Sequence, residues 1–144
     1  MVRINLVDPS ELTDQHLIAE HDEILMLCGC LRKSLKSKNG VRDIPTKFTL
    51  GKGHIKFFYN KGLYLHKRFD TLQAEMKIRG FKPTKSFPKA DWPIELYNDW
   101  EPLWIDYIVV EDRIKSRIAE KPGWYRYYGK SLKEKDNEVK DDCS

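Results

Sequence analysis

The stretch "SELTDQHLIAEHDEILMLCGCLRKSLKS", Ser10 to Ser37, decides the fold. Its apolar residues Leu17, Ile24, Cys28, Leu31 and Leu35 recur at the spacing of one helix face, so the segment reads as a long amphipathic helix. Ser10, Thr13 and Asp14 offer oxygens for its N-cap, and Asn39-Gly40 supplies the stop. Gly29 inside the helix costs stability relative to alanine, which predicts close packing of another backbone at that turn.

Working outward, "VRDIPTKFTLGKGHIKFFYN" (Val41 to Asn60) mixes β-branched and aromatic residues with Pro45, Gly51 and Gly53 and reads as an ordered loop with at most short extended pieces. A second helix is expected from Gly62 to Arg79, burying Leu65, Phe69, Leu72 and Met76 and stopping at Gly80. The next segment holds Pro83, Pro88, Pro93 and Pro102 and must be mostly loop. A third helix is expected from Ile105 to Glu120, burying Tyr107, Val110, Ile114 and Ile118 before Pro122-Gly123 ends it. The fold class is therefore all-α, a compact single domain of three main helices with long irregular loops over residues 1–133 and a polar tail, residues 134–144, expected to fray. Loops that long imply work to do, and binding is the obvious work.

The net charge of +4 hides a segregated distribution. From Ile4 to Leu31 there is no Lys or Arg, while Asp8, Glu11, Asp14, Glu20, Asp22 and Glu23 supply six acids. Between Arg32 and Arg68 the sign flips, with eleven Lys or Arg against Asp43 alone. Such a block suits a polyanion, because each neutralised phosphate releases condensed counterions; a solvated basic face without a partner is the plainer reading. Cys28, Cys30 and Cys143 are an odd number, two of them too close in sequence to staple a fold, which fits a reducing compartment and gives no metal motif. No window reaches the roughly 18 apolar residues of a membrane span, and the expectation is a monomer in the cytoplasm without metal or cofactor.

On the first helix His16, Glu20 and Glu23 fall at i, i+4 and i+7, a stripe beside the apolar one. From spacing alone a charged stripe is solvated surface. A carboxylate held in a protein otherwise suited to a polyanion has an alternative use in proton transfer or charge stabilisation.

Several blocks are more specific: "RINL" at Arg3 to Leu6, the Ser10 to Glu23 helix start, "LGKGHIKFFY" from Leu50, "KRFDTLQAEMKIRGF" from Lys67, and "KPGWYRYYGK" from Lys121. In this order they resemble the pyrimidine-dimer DNA glycosylases of the phage endonuclease V type. The resemblance implies an enzyme that cuts the glycosidic bond of the 5′ base of a cyclobutane pyrimidine dimer in double-stranded DNA and then breaks the strand by β-elimination. The implied nucleophile is the α-amine exposed when Met1 is removed, here that of Val2, and the implied catalytic carboxylate is Glu23. An α-amine titrates near 7.7–8.0 against about 10.4 for lysine, so a useful fraction is free base at neutral pH without a special pocket.

By the same resemblance Arg3, Gln15 and His16 line the lesion site, and Arg113, Arg117 and Lys130 meet DNA, as do rings of Trp124, Tyr125, Tyr127 and Tyr128. The expected split has Trp124 and Tyr125 packing the third helix and Tyr127 and Tyr128 nearer the strand. Asp22 and Met26 stand where the best-known phage member carries DNA-touching arginines, and His21 stands for an aromatic. Phosphate clamping there is weaker, Arg32, Lys33 and the basic loop are candidates to compensate, and Asp22 and Glu20 should favour the protonated form of Glu23 by repulsion. The competing functions are a non-catalytic helical DNA-binding module and a lyase acting mainly on abasic or other damaged sites.

Overall fold

The computed structural model describes residues 3–132. Three long helices dominate: α1 (Asp14–Lys36), α3 (Gly62–Ile78) and α4 (Trp104–Glu120), with a single short turn of helix, α2 (His54–Phe57), in the connection between α1 and α3. The architecture is all-α apart from one two-residue antiparallel ladder, β1 (Arg126–Tyr127) with β2 (Lys130–Ser131), in which Tyr127 faces Lys130. Tyr128 and Gly129 between them both have positive φ, 53° and 79°, the conformation a two-residue hairpin of matching twist requires.

Thr13 caps α1, its hydroxyl accepting from the His16 amide at 3.1 Å, while Ser10 falls in a preceding 3-10 turn capped by Asp8. The expected face is buried at Leu17, Ile24, Cys28 and Leu31, whereas Leu35 is exposed. Helix α3 buries all four of its expected residues, Leu65, Phe69, Leu72 and Met76. Its end is a Schellman closure: the Phe81 amide donates to Met76 O (2.9 Å) and the Gly80 amide to Lys77 O (3.0 Å), with Gly80 at φ 90°. At its start Gly62 is obligatory, since a Cβ there would sit 2.5 Å from the Trp92 ring.

Three expectations need correction. Helix α4 buries only Val110 of its expected stripe; Tyr107, Ile114 and Ile118 are half-buried, and Trp104 is 76% exposed, because the helix lays one narrow edge on the core. The segment from Val41 to Asn60 holds helical turns rather than extended pieces, and Phe48, Phe57 and Phe58 pack edge-to-face with Trp100 or one another to seal it onto the core. Gly29 meets no neighbouring backbone, since the nearest atom to an added Cβ is Arg32 Nη2 at 3.5 Å.

The deepest structural element is the chain's start. Ile4, Asn5, Leu6 and Val7 are buried against α1 and α3, and the Val7 amide closes a γ-turn onto Asn5 O with Leu6 at φ 59°. A non-helical segment turned in this way inside a helical core has no ladder partner, so side chains must satisfy its backbone. Glu20 Oε1 accepts the Asn5 amide (3.1 Å), and Arg68 Nη1 donates to Leu6 O (3.1 Å) and Val7 O (2.5 Å). The two side chains join each other bidentately, Nε to Oε2 at 2.6 Å and Nη2 to Oε1 at 2.9 Å. Burial works against the Arg68 charge, but the Glu20 carboxylate outweighs it and raises its pKa.

Glu20→Ala should cost about 3–5 kcal/mol in urea unfolding, since it strands a buried guanidinium. Replacing both partners with methionine should not recover that loss, because the Asn5 amide and the Leu6 and Val7 carbonyls would then lack partners. By contrast, Gly29→Ala should stabilise the protein by about 0.5–1 kcal/mol in the same measurement.

Candidate functional site

Where the start of the chain, α1, α4 and the segment after α4 converge, they wall a cavity of about 230 Å³. Seven of the residues singled out from the sequence line it: Arg3, Gln15, His16, Arg113, Arg117, Trp124 and Tyr125. Asn5, Ala19 and Lys121 complete the wall. These three lie inside the quoted sequence blocks, but a small, an amide and a basic residue carry no signal of their own.

The wall is electropositive. Arg113 and Arg117 are one turn apart on α4, and burial together with the neighbouring charges of Arg117 and Arg3 lowers the pKa of Arg113. Arg117 also meets Glu120 at 3.4 Å on the exposed side. Guanidiniums held where they repel one another favour an anion between them. Burial, reinforced by Arg113 and Arg117, brings the pKa of His16 down to about 4, so the imidazole is neutral at physiological pH. Its ring lies flat on Tyr125, 4.8 Å between centroids and 2° between planes, and its Nδ1 is 2.7 Å from Thr13 Oγ1. The ring is thus locked by the helix cap on one side and an aromatic face on the other.

Trp124 stands at the rim, 54% exposed, edge-on to Tyr125 at 4.9 Å and with Lys121 Nζ 5.2 Å from its ring. The expected packing of the aromatic segment is therefore corrected: Tyr125 is buried, but Trp124 is not, and the other two rings are engaged elsewhere. Tyr127 and Tyr128, edge-to-face at 4.7 Å, both lie against Arg79 at 4.9 and 4.6 Å, with their hydroxyls donating to Ser10 O (2.7 Å) and Glu75 Oε1 (2.5 Å). Neither lines the cavity, nor does Lys130. Asp14 holds the turn through the Tyr128 and Gly129 amides (3.1 and 2.8 Å), and Gln15 spends both ends of its amide on the same segment, accepting from the Arg126 amide at 2.8 Å and donating to Trp124 O at 2.7 Å. The hairpin is thereby fixed, and with it the Trp124 rim.

Glu23 lies two turns along α1 from His16 and is buried, with Oε1 lacking a hydrogen-bond partner among the described residues. The solvated-stripe expectation fails for it and for Glu20. Its pKa is raised, as expected, but the cause is burial rather than repulsion: Glu20 is neutralised by Arg68, Asp22 points to solvent, and the nearby Arg3 charge acts in the opposite direction. Arg3 itself donates from Nε to Leu50 O at 2.6 Å and also borders a second groove with Arg42, Lys52 and Lys56. Val2 lies outside the described residues. On α1, Met26 and Asp22 are exposed, and of the cations close by, Arg32 is bound to Asp91 at 2.8 Å.

Glu23 is not in the cavity wall and is linked to it through the charge of Arg3, while the wall's cations and exposed ring are of the kind that suits a nucleic-acid strand. The family model described as pyrimidine dimer DNA glycosylase matches residues 1–89, more than half of the chain, a range that includes Arg3, Gln15, His16 and Glu23 and ends before α4. The chain belongs to this family of DNA-repair glycosylases. Among the described residues no helix is long and apolar enough to cross a membrane.

The environment of Glu23 sets a pH dependence. Its carboxyl is raised above the usual 4.5, so the unfolded chain ionises first and native stability falls as pH rises through the window between the two values. Glu23→Gln does not titrate. It should be the more stable protein at about pH 7, by on the order of 1 kcal/mol, and the advantage should vanish below about pH 4; chemical denaturation across pH measures it.

Proposed function

We propose that the protein excises the 5′ base of a cyclobutane pyrimidine dimer in double-stranded DNA through the α-amine of Val2, and then cleaves the strand by β-elimination. The observation that carries this reading is Glu23, buried without a partner for Oε1 and within the field of Arg3, beside a cavity with three arginines in its wall. Removal of Met1 exposes the amine. Its nitrogen attacks C1′ as the bond to the pyrimidine breaks, and the base leaves its sugar with the bonding pair and takes up a proton, still joined to the 3′ pyrimidine through the cyclobutane ring. Ring opening at O4′ leaves an iminium between C1′ and the amine. Glu23 stabilises the positive charge developing on the sugar and, as carboxylate, accepts the C2′ proton, whereupon the 3′ phosphate leaves. Water then releases the unsaturated aldehyde and regenerates the amine.

The arginines would hold the phosphates flanking the lesion, and neutral His16 would serve as a hydrogen-bonding group rather than a fixed charge. Opening the duplex costs a few kcal/mol of unstacking, least where a dimer has already weakened it. With Asp22 and Met26 exposed on α1, the grip on phosphate falls to α4, Lys121 and the basic loop. The enzyme acts as a monomer in the cytoplasm, on the nucleoid, without metal or cofactor.

Borohydride should trap wild-type protein on ultraviolet-irradiated duplex, and N-terminal sequencing of the free protein should begin at Val2. Glu23→Gln should bind the same duplex within a few-fold of wild type while losing cleavage by about 10²-fold or more. Absence of trapping with Met1 confirmed removed refutes the amine's role, and a Glu23→Gln variant that cuts normally refutes the carboxylate's.

A further inference from the structure

We propose that His54 is a positioning residue that aims the amino terminus at the sugar by holding the backbone at Ile4. This rests on the reading of the Val2 amine as nucleophile. His54 is buried, 2% exposed, with its ring wedged edge-to-face between Phe48 (5.6 Å) and Phe58 (5.3 Å). Both ring nitrogens are committed. Nδ1 lies 2.7 Å from Thr49 O, a carbonyl that can only accept, so the proton resides on Nδ1. Nε2 then has a free lone pair, and the Ile4 amide donates to it at 3.0 Å. The two contacts define one neutral tautomer, and burial keeps it so, bringing the pKa down to about 4, with Arg3 and Arg113 acting in the same direction.

The bond lies two residues from the proposed nucleophile, and it is part of a row. Arg3 Nε is held by Leu50 O, the Ile4 amide by His54, the Asn5 amide by Glu20, and the Leu6 and Val7 carbonyls by Arg68. Of these anchors, the one on Ile4 is nearest the terminus among those made to backbone. Protonating Nε2 or removing it frees the Ile4 amide, so that of these backbone anchors the one on Asn5 becomes nearest the terminus. The loop that carries His54 is itself constrained: Gly53, at φ 93°, has Pro45 Cγ 3.2 Å from where a Cβ would lie. The basic loop thus has a second task besides any contact with phosphate.

Two variants separate aiming from packing. His54→Gln keeps an acceptor near the position of Nε2, and His54→Asn keeps only a partner for Thr49 O; both lose the ring. In single-turnover borohydride trapping on irradiated duplex, His54→Asn should be slower by about 10- to 100-fold with duplex affinity within about threefold of wild type, and His54→Gln should recover most of the rate. Equal slowing in both variants in step with their folded fraction, or loss of affinity parallel to loss of rate, overturns the proposal. So does ring ¹⁵N NMR of wild-type protein showing the proton on Nε2 at neutral pH, a test that needs no variant to fold. Failure of wild type to trap at all sinks the amine reading itself, and this inference with it.

Discussion

A short strand-like segment, turned at Leu6 and buried among helices, is the constraint on which the rest of the structure depends. Residues 4–7 have no neighbouring strand, yet their amides and carbonyls are removed from water, and each unpaired group would cost about 1–3 kcal/mol. The protein meets this with side chains drawn from three elements: Glu20 on α1, Arg68 on α3, and His54 on α2. A buried ion pair alone is weak evidence of stabilisation, since desolvation opposes the Coulombic gain. Here the Glu20–Arg68 pair also completes the strand's hydrogen bonding, so its partners on the backbone are as much part of its purpose as the charges are. In return residues 4–7 are held at successive backbone groups, although segments so near a terminus are ordinarily loose.

From that anchoring the site follows. Arg3 emerges from the strand on the side where α4 brings Arg113 and Arg117, and α1 contributes His16. The last wall comes from the segment beyond α4, and it is held at a distance from the cavity. Arg79 lies against the Tyr127–Tyr128 pair and is bound to Asp14 and Glu75, while Asp14 and Gln15 grip the backbone from Trp124 to Gly129. Two of the four aromatic rings in that segment are therefore structural, committed through their hydroxyls. Of the other two, Tyr125 packs on His16, and Trp124 presents an exposed ring to whatever enters.

Periodicity made the scaffold legible. The limits of α1, α3 and α4, the buried face of α3, the Gly80 stop and the Thr13 cap all derive from local rules, so sequence alone could carry them. What it could not carry was any pairing across the chain. Glu20 and Glu23 looked like a solvated stripe because Arg68, 48 residues away from Glu20, gives no local sign of its role. The exposure of Trp124 and the ties of Tyr127 and Tyr128 to Arg79 were hidden for the same reason: the sequence shows rings, but not which of them an arginine distant in the chain engages. Gly29 was read as a close-packing site because a helix glycine usually needs a reason, and the structure offers none in contact. The residues gathered around the cavity came from the resemblance of whole blocks, and within those blocks Asn5, Ala19 and Lys121 had nothing to distinguish them.

The two glutamates of α1 show how one residue type takes opposite roles three positions apart. Glu20 is saturated: two guanidinium contacts and the Asn5 amide occupy its oxygens, the pair is sealed from water, and nothing remains for a substrate. Glu23 is equally buried by exposure, but no guanidinium clasps it, Oε1 is open among the described residues, and burial raises its pKa against the pull of Arg3. A carboxylate whose ionisation is disfavoured by burial is the stronger base, because the proton it accepts relieves a cost already present, while a neighbouring positive charge favours the ionised form that can accept it. The iminium of the proposed reaction is such a charge. The field of Arg113 and Arg117, which adds to burial in keeping His16 neutral, would be cancelled in part by incoming phosphates, so the electrostatics of the cavity depend on its occupant as well as on the protein. The saturated carboxylate and the open one are thus distinguished by the reach of one arginine from α3.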